Sequence, residues 1–202
     1  MRERATQLQR VLVGLLVLAA LPGLTLAEPP TSDLGELASK AAQDDPVAQY
    51  NLGVEYYRGE RVERNLEKAA ALWKSAAAVG NVPASNSLAY LTFYGKGIPR
   101  DAKEGIRLWR YAAERGHAEA QFQLASVYMS GRHVSRSYVL AYAWASASVH
   151  YAEATTELGG DPEVGANARL LQQGARAALS DKQRELAKTR AQEFIAVYHP
   201  RD

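Results

Sequence analysis

The sequence predicts an all-α protein, an α-solenoid of antiparallel helix pairs with helical caps at its ends. Three similar segments support this fold class: "AQYNLGVEYYRG" from Ala48, "ASNSLAYLTFYG" from Ala84 and "AQFQLASVYMSG" from Ala120, which start 36 residues apart. Repetition at such a period is typical of stacked structural repeats. Each unit contains two helical apolar patterns, and neither helix can bury its apolar face alone, so neighbouring units must stack.

The first 27 residues have the layout of a secretory signal peptide. Three arginines precede an apolar run over residues 11–21, and small residues end at Ala27. The alternative is an uncleaved anchor, but the run is shorter than the roughly 20 residues that a spanning helix needs. We therefore expect cleavage after Ala27, a linker over residues 28–33, and a periplasmic or secreted bacterial protein with no stable membrane span after processing.

The charge balance argues against nucleic acid as a partner. The full chain has 24 basic and 22 acidic residues, and cleavage after Ala27 would remove three Arg and one Glu, which leaves 21 of each. The mature chain therefore lacks the basic excess that nucleic-acid binding requires. The chain has no cysteine, which excludes disulfides and thiolate metal sites.

Each unit is predicted to hold two helices separated by a short loop. The first helix should end at a glycine, because glycine adopts the left-handed C-terminal conformation without a steric penalty. The second should begin at a residue whose side chain caps a helix N-terminus. The glycines are Gly59, Gly95 and Gly131, and the capping residues are Asn65, Asp101 and Ser137. In the second unit, Asp101 and Glu104 also have the spacing of a capping box.

The repeat phase also sets the expected domain boundaries. Residues 34–47 match the second half of a unit and are predicted to form an N-terminal capping half-repeat. The three repeats then span 48–83, 84–119 and 120–155. Residues 156–202 are predicted to form C-terminal capping helices, with helical patterns near 162–179 and 181–198 after a break at "GGDP".

The repeated residues resemble the Sel-1-like repeat family, whose 36-residue units are relatives of tetratricopeptide repeats. The resemblance covers about residues 34–154, and its best match is the stretch "YGKGIPRDAKEGIRLWRYAAERGHAEAQFQLA". It implies protein–protein interaction, in adaptor and scaffold roles of bacterial envelopes and signalling. A cysteine-rich exported branch is described as penicillin-binding or β-lactam-hydrolysing, and the absence of cysteine argues against membership in that branch.

The sequence shows no catalytic, cofactor-binding or metal-binding motif. "YGKGIPRDAKEG", from Tyr94, looks like a phosphate-binding loop, but Tyr90 stands where the first P-loop glycine belongs and Gly97 where Ser or Thr should follow the lysine. No serine has a lysine three residues later, as a serine β-lactam site would need. The four histidines have no ligand spacing, and His117 is interpreted as a turn residue.

A binding surface is expected on the first helices, because solenoids bind partners on extended concave faces. Two rows of matched positions are the candidates. Ordinary partial burial is an equally weighted alternative for them. The groove candidates are Tyr50, Val54, Asn86, Tyr90, Phe122 and Ser126. A separate row, made of arginines, could bind an anionic partner along one edge of the solenoid, although such rows are more often solvated or paired with acids. This row is Arg64, Arg100 and Arg136.

These observations predict a non-enzymatic scaffold or adaptor of the bacterial envelope that holds a partner peptide or protein in its groove. A peptidoglycan-binding or other glycan-binding, cell-wall-associated module is the alternative, since aromatic side chains and an exported location suit a sugar ligand. A β-lactam hydrolase is a third hypothesis, which has only a distant family analogy behind it.

Overall fold

The computed structural model describes residues 33–156 and 161–197. Within these ranges every regular element is an α-helix. The nine helices are α1 (Asp33–Ala42), α2 (Pro46–Arg58), α3 (Leu66–Ala78), α4 (Val82–Tyr94), α5 (Ala102–Ala113), α6 (Ala118–Ser130), α7 (Tyr138–Thr156), α8 (Pro162–Ala177) and α9 (Asp181–Val197). The predicted signal peptide, the linker up to residue 32 and the two glycines of the predicted break at 159–162 lie outside the described residues.

The helices pack in the order that an α-solenoid requires, which confirms the predicted fold class. The first helices of the three units are α2, α4 and α6, and the second helices are α3, α5 and α7. Each helix from α2 to α7 packs against its neighbours in sequence. At the C-terminal end α8 packs on α6 and α7, while α9 packs on α7. At the other end, Ala41 of α1 packs against Ala48 and Leu52 of α2.

The predicted glycines end the first helices for two physical reasons. Gly59, Gly95 and Gly131 have φ angles of 73°, 69° and 69°, a left-handed conformation that side chains disfavour. The following turn also folds back onto the glycine. A Cβ at Gly95, for example, would lie 2.8 Å from the Cβ of Arg100. Any larger residue here would therefore strain the backbone and collide with the turn.

The predicted N-caps of the second helices are confirmed. The side chains of Asn65, Asp101 and Ser137 accept backbone N–H groups of Lys68, Glu104 and Leu140. The capping-box prediction for Glu104 was wrong, because its carboxylate pairs with Arg107 at 2.6 Å. The N–H of Asp101 that this carboxylate should have bound donates instead to the carbonyl of Thr92.

A second set of N-caps, which sequence reasoning missed, begins the first helices. Asp45, Asn81 and His117 occupy the same repeat position and precede α2, α4 and α6. Each side chain accepts the N–H of the residue three positions on, so each satisfies a donor that the helix itself leaves free. His117 takes the role that the aspartate and asparagine play in the first two units.

The core consists of tryptophans surrounded by alanines. Trp73, Trp109 and Trp144 are 3%, 1% and 6% exposed. The small residues around them let helices approach closely, and two of them, Ala84 and Ala120, are fully buried. Trp144 stacks on Phe194 of α9, with ring centroids 3.9 Å apart, which fixes the C-terminal cap to the third unit.

The third unit departs from the repeat at its end. Gly80 and Gly116 end α3 and α5 with φ angles of 91° and 79°, whereas Ala152 occupies the matched position in α7. Without a glycine the helix continues to Thr156.

Among the helices of the described ranges, none combines the length and apolarity that crossing a bilayer would need.

Candidate binding groove

First and second helices together line an open cavity of about 280 Å³, which we call the groove. The cavity has the size of the smaller pockets that bind small molecules or short chain segments. Residues of all three units contribute to it, five of them aromatic. The lining residues are Tyr50, Val54, Tyr57, Arg58, Trp73, Asn86, Ser87, Tyr90, Trp109, Glu119 and Gln123.

The structure brings four of the six predicted groove residues together. Tyr50 and Val54 of α2 and Asn86 and Tyr90 of α4 line the groove. The other two, on α6, do not line it. Phe122 is half-buried outside the groove, and Ser126 lines a neighbouring cavity with His133 and Arg132. A role in partner binding remains a prediction for all six.

The aromatic rings of the groove are in contact, with Tyr57 edge to face against Tyr90 and tilted against Trp73. Tyr57 lies 5.6 Å from Trp73 and 6.4 Å from Tyr90 between ring centroids, tilted by 42° and 80°. Edge-to-face geometry is the favourable arrangement for ring quadrupoles. Two cations lie beside these rings: Nζ of Lys96 donates to the hydroxyl of Tyr90 at 2.5 Å, and Cζ of Arg64 lies 5.9 Å from the Tyr57 ring centroid. The groove wall is therefore an ordered aromatic cluster with a basic margin.

The polar groups of the groove lie on opposite sides of this cluster. Arg58 comes from the last turn of α2 and Glu119 from the first turn of α6. Burial raises the pKa of the Glu119 carboxyl, although Gln123 donates to it at 2.6 Å. Burial also raises the pKa of the Tyr57 hydroxyl. Tyr57 and Glu119 are both half-buried, and partial exclusion of water strengthens polar contacts made beside them.

The two tryptophans of the groove differ in their hydrogen bonds. Nε1 of Trp73 donates to the carbonyl of Tyr50 at 3.0 Å. Nε1 of Trp109, at the matched position of the second unit, is buried and has no partner in the described part of the chain. The same is true of Oδ1 of Asn86. Both tryptophans also line the groove, which sequence reasoning did not predict.

The predicted arginine row has a structural role. Nε of Arg64 donates to the carbonyl of Tyr57, and Nε of Arg100 to that of Phe93, each at 3.1 Å. Arg136 reaches the carbonyl of Ser130 at 3.2 Å. These carbonyls belong to the last turns of α2, α4 and α6, where helix acceptors lack partners and positive charge is favourable. The arginines thus hold the helix ends, and binding of an anionic partner remains a prediction for them.

The titratable side chains that line the groove are few and of three kinds. They are the carboxyl of Glu119, the guanidinium of Arg58 and the hydroxyls of Tyr50, Tyr57 and Tyr90. No group of three or more His, Cys, Asp or Glu side chains suited to a metal ion occurs in residues 33–156 and 161–197. The arrangement is suited to binding through aromatic contact and hydrogen bonds.

Comparison with known families identifies the repeats. The family model described as Sel1 repeat matches residues 46–81, 82–117 and 118–148, which is half of the chain. The chain belongs to the Sel1 repeat family. Proteins of this family are generally protein–protein interaction scaffolds, and the Sel1 fold is typically non-catalytic. No curated protein matches the sequence at a significant level.

Two solved structures share the Sel1 fold with this chain. One is c5321, a protective antigen of uropathogenic Escherichia coli, at 26% identity and a TM-score of 0.59, over 88% of this chain and 44% of that one. The other is a Sel1 repeat protein from Oxalobacter formigenes, at 26% identity and a TM-score of 0.53, over 68% of this chain and 97% of that one. The present chain thus spans less than half the length of c5321.

Proposed function

We propose that this Sel1 repeat protein is a non-enzymatic scaffold of the bacterial cell envelope that holds a partner peptide or protein in the groove. The aromatic groove carries the proposal. Large aromatic side chains supply most of the binding energy at protein interfaces, and here they are gathered in one partly desolvated cavity. The family's general role as an interaction scaffold supports the same conclusion.

A capture experiment with matched variants tests the groove. Tyr50 and Tyr90 would both be replaced by Ala in one variant, and Tyr111 and Tyr138, which do not line the groove, in a control. Each protein, immobilised, would be incubated with envelope extract. We expect a partner retained by the unmodified protein and by the control to be lost from the groove variant. Equal retention by both variants, or no enriched partner at all, would contradict the proposal.

The envelope location rests on residues 1–27 and has its own test. We expect the full-length protein, expressed in a Gram-negative host, to appear in the periplasmic fraction or the medium. Its intact mass should show removal of Met1 to Ala27. A full-length mass in the cytosolic fraction would contradict export, and a full-length mass in the membrane fraction would indicate an anchor instead of cleavage.

Peptidoglycan or another glycan remains the alternative ligand. Its support is the aromatic content of the groove, since sugars stack on ring faces. Sedimentation with purified peptidoglycan separates the two proposals. A protein scaffold should remain in the supernatant, whereas a wall-binding module should pellet with the sacculi and should stay soluble once Tyr50 and Tyr90 are replaced.

A further inference from the structure

Two cations lie beside two tyrosines at the basic margin of the groove. Nζ of Lys96 donates to the hydroxyl of Tyr90 at 2.5 Å. Cζ of Arg64 lies 5.9 Å from the ring centroid of Tyr57, and the centroids of the two tyrosine rings are 6.4 Å apart. Tyr57 and Tyr90 both line the groove. Arg64 and Lys96, which we call the cation pair, therefore stand at the edge of the proposed binding surface.

Neutral acceptors hold both members of the cation pair in place. Nε of Arg64 donates to the carbonyl of Tyr57 at 3.1 Å, and the two terminal nitrogens of this guanidinium make no hydrogen bond within the described residues. The ammonium of Lys96 has three N–H groups, of which one is used by the Tyr90 hydroxyl. Both side chains are exposed. The pair is thus positioned by the protein and keeps donors available for a ligand.

The other two arginines of the arginine row use more of their donors within the protein. Nη2 of Arg100 lies 2.9 Å from Nε2 of His133. Nη2 of Arg136 donates to the carbonyl of Ser130 at 3.2 Å. Among these three described arginines, Arg64 is therefore the one that can bind a ligand through both terminal nitrogens without losing a bond.

No acid neutralises the cation pair in the described part of the chain. Neither Arg64 nor Lys96 forms an ion pair there, and Glu55 of α2 pairs with Arg61 at 3.3 Å. The hydrogen bond to Tyr90 raises the pKa of the Lys96 ammonium, whereas the like charge of Arg64 opposes the rise. The two cations therefore repel each other, and an anion bound beside them would relieve the repulsion.

The charges of the groove itself reinforce this asymmetry. Arg58 lines the groove and has no ion pair within residues 33–156 and 161–197. The carboxyl among the lining residues, Glu119, comes from the first turn of α6 and already accepts from Gln123. A hydrophobic side chain seated on the tyrosines would place its neighbours in the peptide beside an excess of positive charge. Carboxylates are the anions that an unmodified peptide offers, and they match this charge.

We propose that the cation pair binds an acidic side chain of the partner segment, so that the groove recognises a peptide in which Asp or Glu stands near a hydrophobic residue. This inference rests on the proposed scaffold function and specifies the chemical class of its partner. Contact with the aromatic side chains supplies most of the affinity, and the cation pair selects the sequence.

Selection from random heptapeptides displayed on phage tests this preference without assuming a partner. Groove ligands are the selected peptides that bind the unmodified protein and fail to bind once Tyr50 and Tyr90 are replaced by Ala. We expect Asp and Glu to be enriched among them relative to the unselected library. The same selection on the pair variant, Arg64→Gln with Lys96→Gln, should show no such enrichment. Groove ligands without an excess of acids, or an equal excess with the pair variant, would overturn the inference.

A matched control separates the charge of the pair from its structural bonds. Arg115 donates to the helix-end carbonyl of Tyr111, and Arg110 donates to the hydroxyl of Tyr128. Replacing both arginines by Gln removes two charges and two comparable bonds outside the groove. Changing the acid of a groove ligand to its amide should weaken binding about fivefold in the unmodified protein and in this control.

The pair variant should bind the acidic peptide and its amide equally, since the charge that distinguishes them has lost its partner. Isothermal calorimetry measures all three proteins. An equal loss of affinity in all three, or no loss in the unmodified protein, would overturn the inference.

The selection also distinguishes failure of this inference from failure of the proposed function. If groove ligands are found and have no acidic preference, the groove binds peptides and the role assigned to the cation pair is wrong. If no selected peptide depends on Tyr50 and Tyr90, the proposed groove function itself is wrong.

Discussion

Gly53 and Trp73 are in such close contact that the glycine has room for no side chain. A Cβ at Gly53 would lie 2.4 Å from the indole Nε1, which donates to the carbonyl of Tyr50. This contact fixes α3 against α2 and sets the shape of the groove wall. It also shows why an α-solenoid built from similar units can have different chemistry in each unit.

Replacing Gly53 by Ala should destabilise the protein, although alanine is the better helix former. The indole must move and its hydrogen bond must break, at a cost of about 1–3 kcal/mol in the free energy of unfolding. Gly174→Ala in α8 is the control, because its nearest obstacle is the flexible Cε of Met129 at 3.3 Å. That change should be neutral or stabilising by up to about 1 kcal/mol. Urea unfolding followed by circular dichroism measures both, and equal effects would refute the contact.

The two buried tryptophans should respond differently to the same substitution. Trp73→Phe removes a hydrogen bond as well as volume, whereas Trp109→Phe removes volume alone. We expect Trp73→Phe to be more destabilising, by about 1 kcal/mol. Chemical denaturation of the two variants checks this. Equal losses of stability, or a larger loss for Trp109→Phe, would mean that the Trp73 hydrogen bond contributes nothing measurable.

Ala84 marks the place where α4 packs into the core. It is fully buried, so Ala84→Leu must push neighbouring side chains apart, at a cost of about 1–3 kcal/mol. Ala78→Leu, at an exposed position at the end of α3, is the matched control and should change stability little. The melting temperatures of both variants provide the test, and an unaltered value for Ala84→Leu would show that the packing face is wrongly assigned.

His117 should make stability depend on pH. Burial lowers its pKa from the ordinary 6.5 to about 4, so between these values the unfolded chain binds a proton that the folded protein does not. The contribution of His117 to the free energy of unfolding should therefore fall as pH drops from about 6.5 to about 4, by about 3 kcal/mol, and should not change further below pH 4.

His117→Asn is the matched variant for this effect, because Asn81 already serves as the same cap in the second unit. It should keep the N-cap and lose the pH dependence that belongs to the imidazole. Urea midpoints of both proteins, measured from neutral pH to about pH 4, give the comparison. Parallel pH curves would show that His117 does not titrate in this range.

Much of the fold could be predicted because its signals lie close together in the chain. The 36-residue period, the stop glycines such as Gly95 and the caps such as Asp101 act within one turn of backbone. The N-cap at Asp45 could also have been predicted, because Asp45 directly precedes a proline, and this pattern indicates the start of a helix. A histidine cap such as His117 has no such signal, because only its position in the repeat reveals the role.

The candidate site could be predicted only in part, because its wall depends on distances between helices. The α2 and α4 residues of the groove follow from repeat phase, whereas the contribution of Trp109 depends on how closely α5 approaches α4. The sequence shows that Ala89 of the second unit stands where the first unit has Gly53. The consequence depends on the packing of the helices: Trp73 makes a hydrogen bond to the backbone that Trp109 does not make. The arginine row was likewise evident in the sequence, whereas the hydrogen bonds from these arginines to carbonyls at the helix ends could not be predicted from it.

Site-specific photo-crosslinking in living cells tests the central claim, that the groove holds a partner, most directly. A benzophenone amino acid would replace Ser87, which lines the groove, or Ser75, which is exposed on α3 outside it. We predict that irradiation joins the Ser87 variant to a discrete protein partner and that the Ser75 variant forms no such adduct. Adducts of equal yield from both positions, or none from Ser87, would contradict the account.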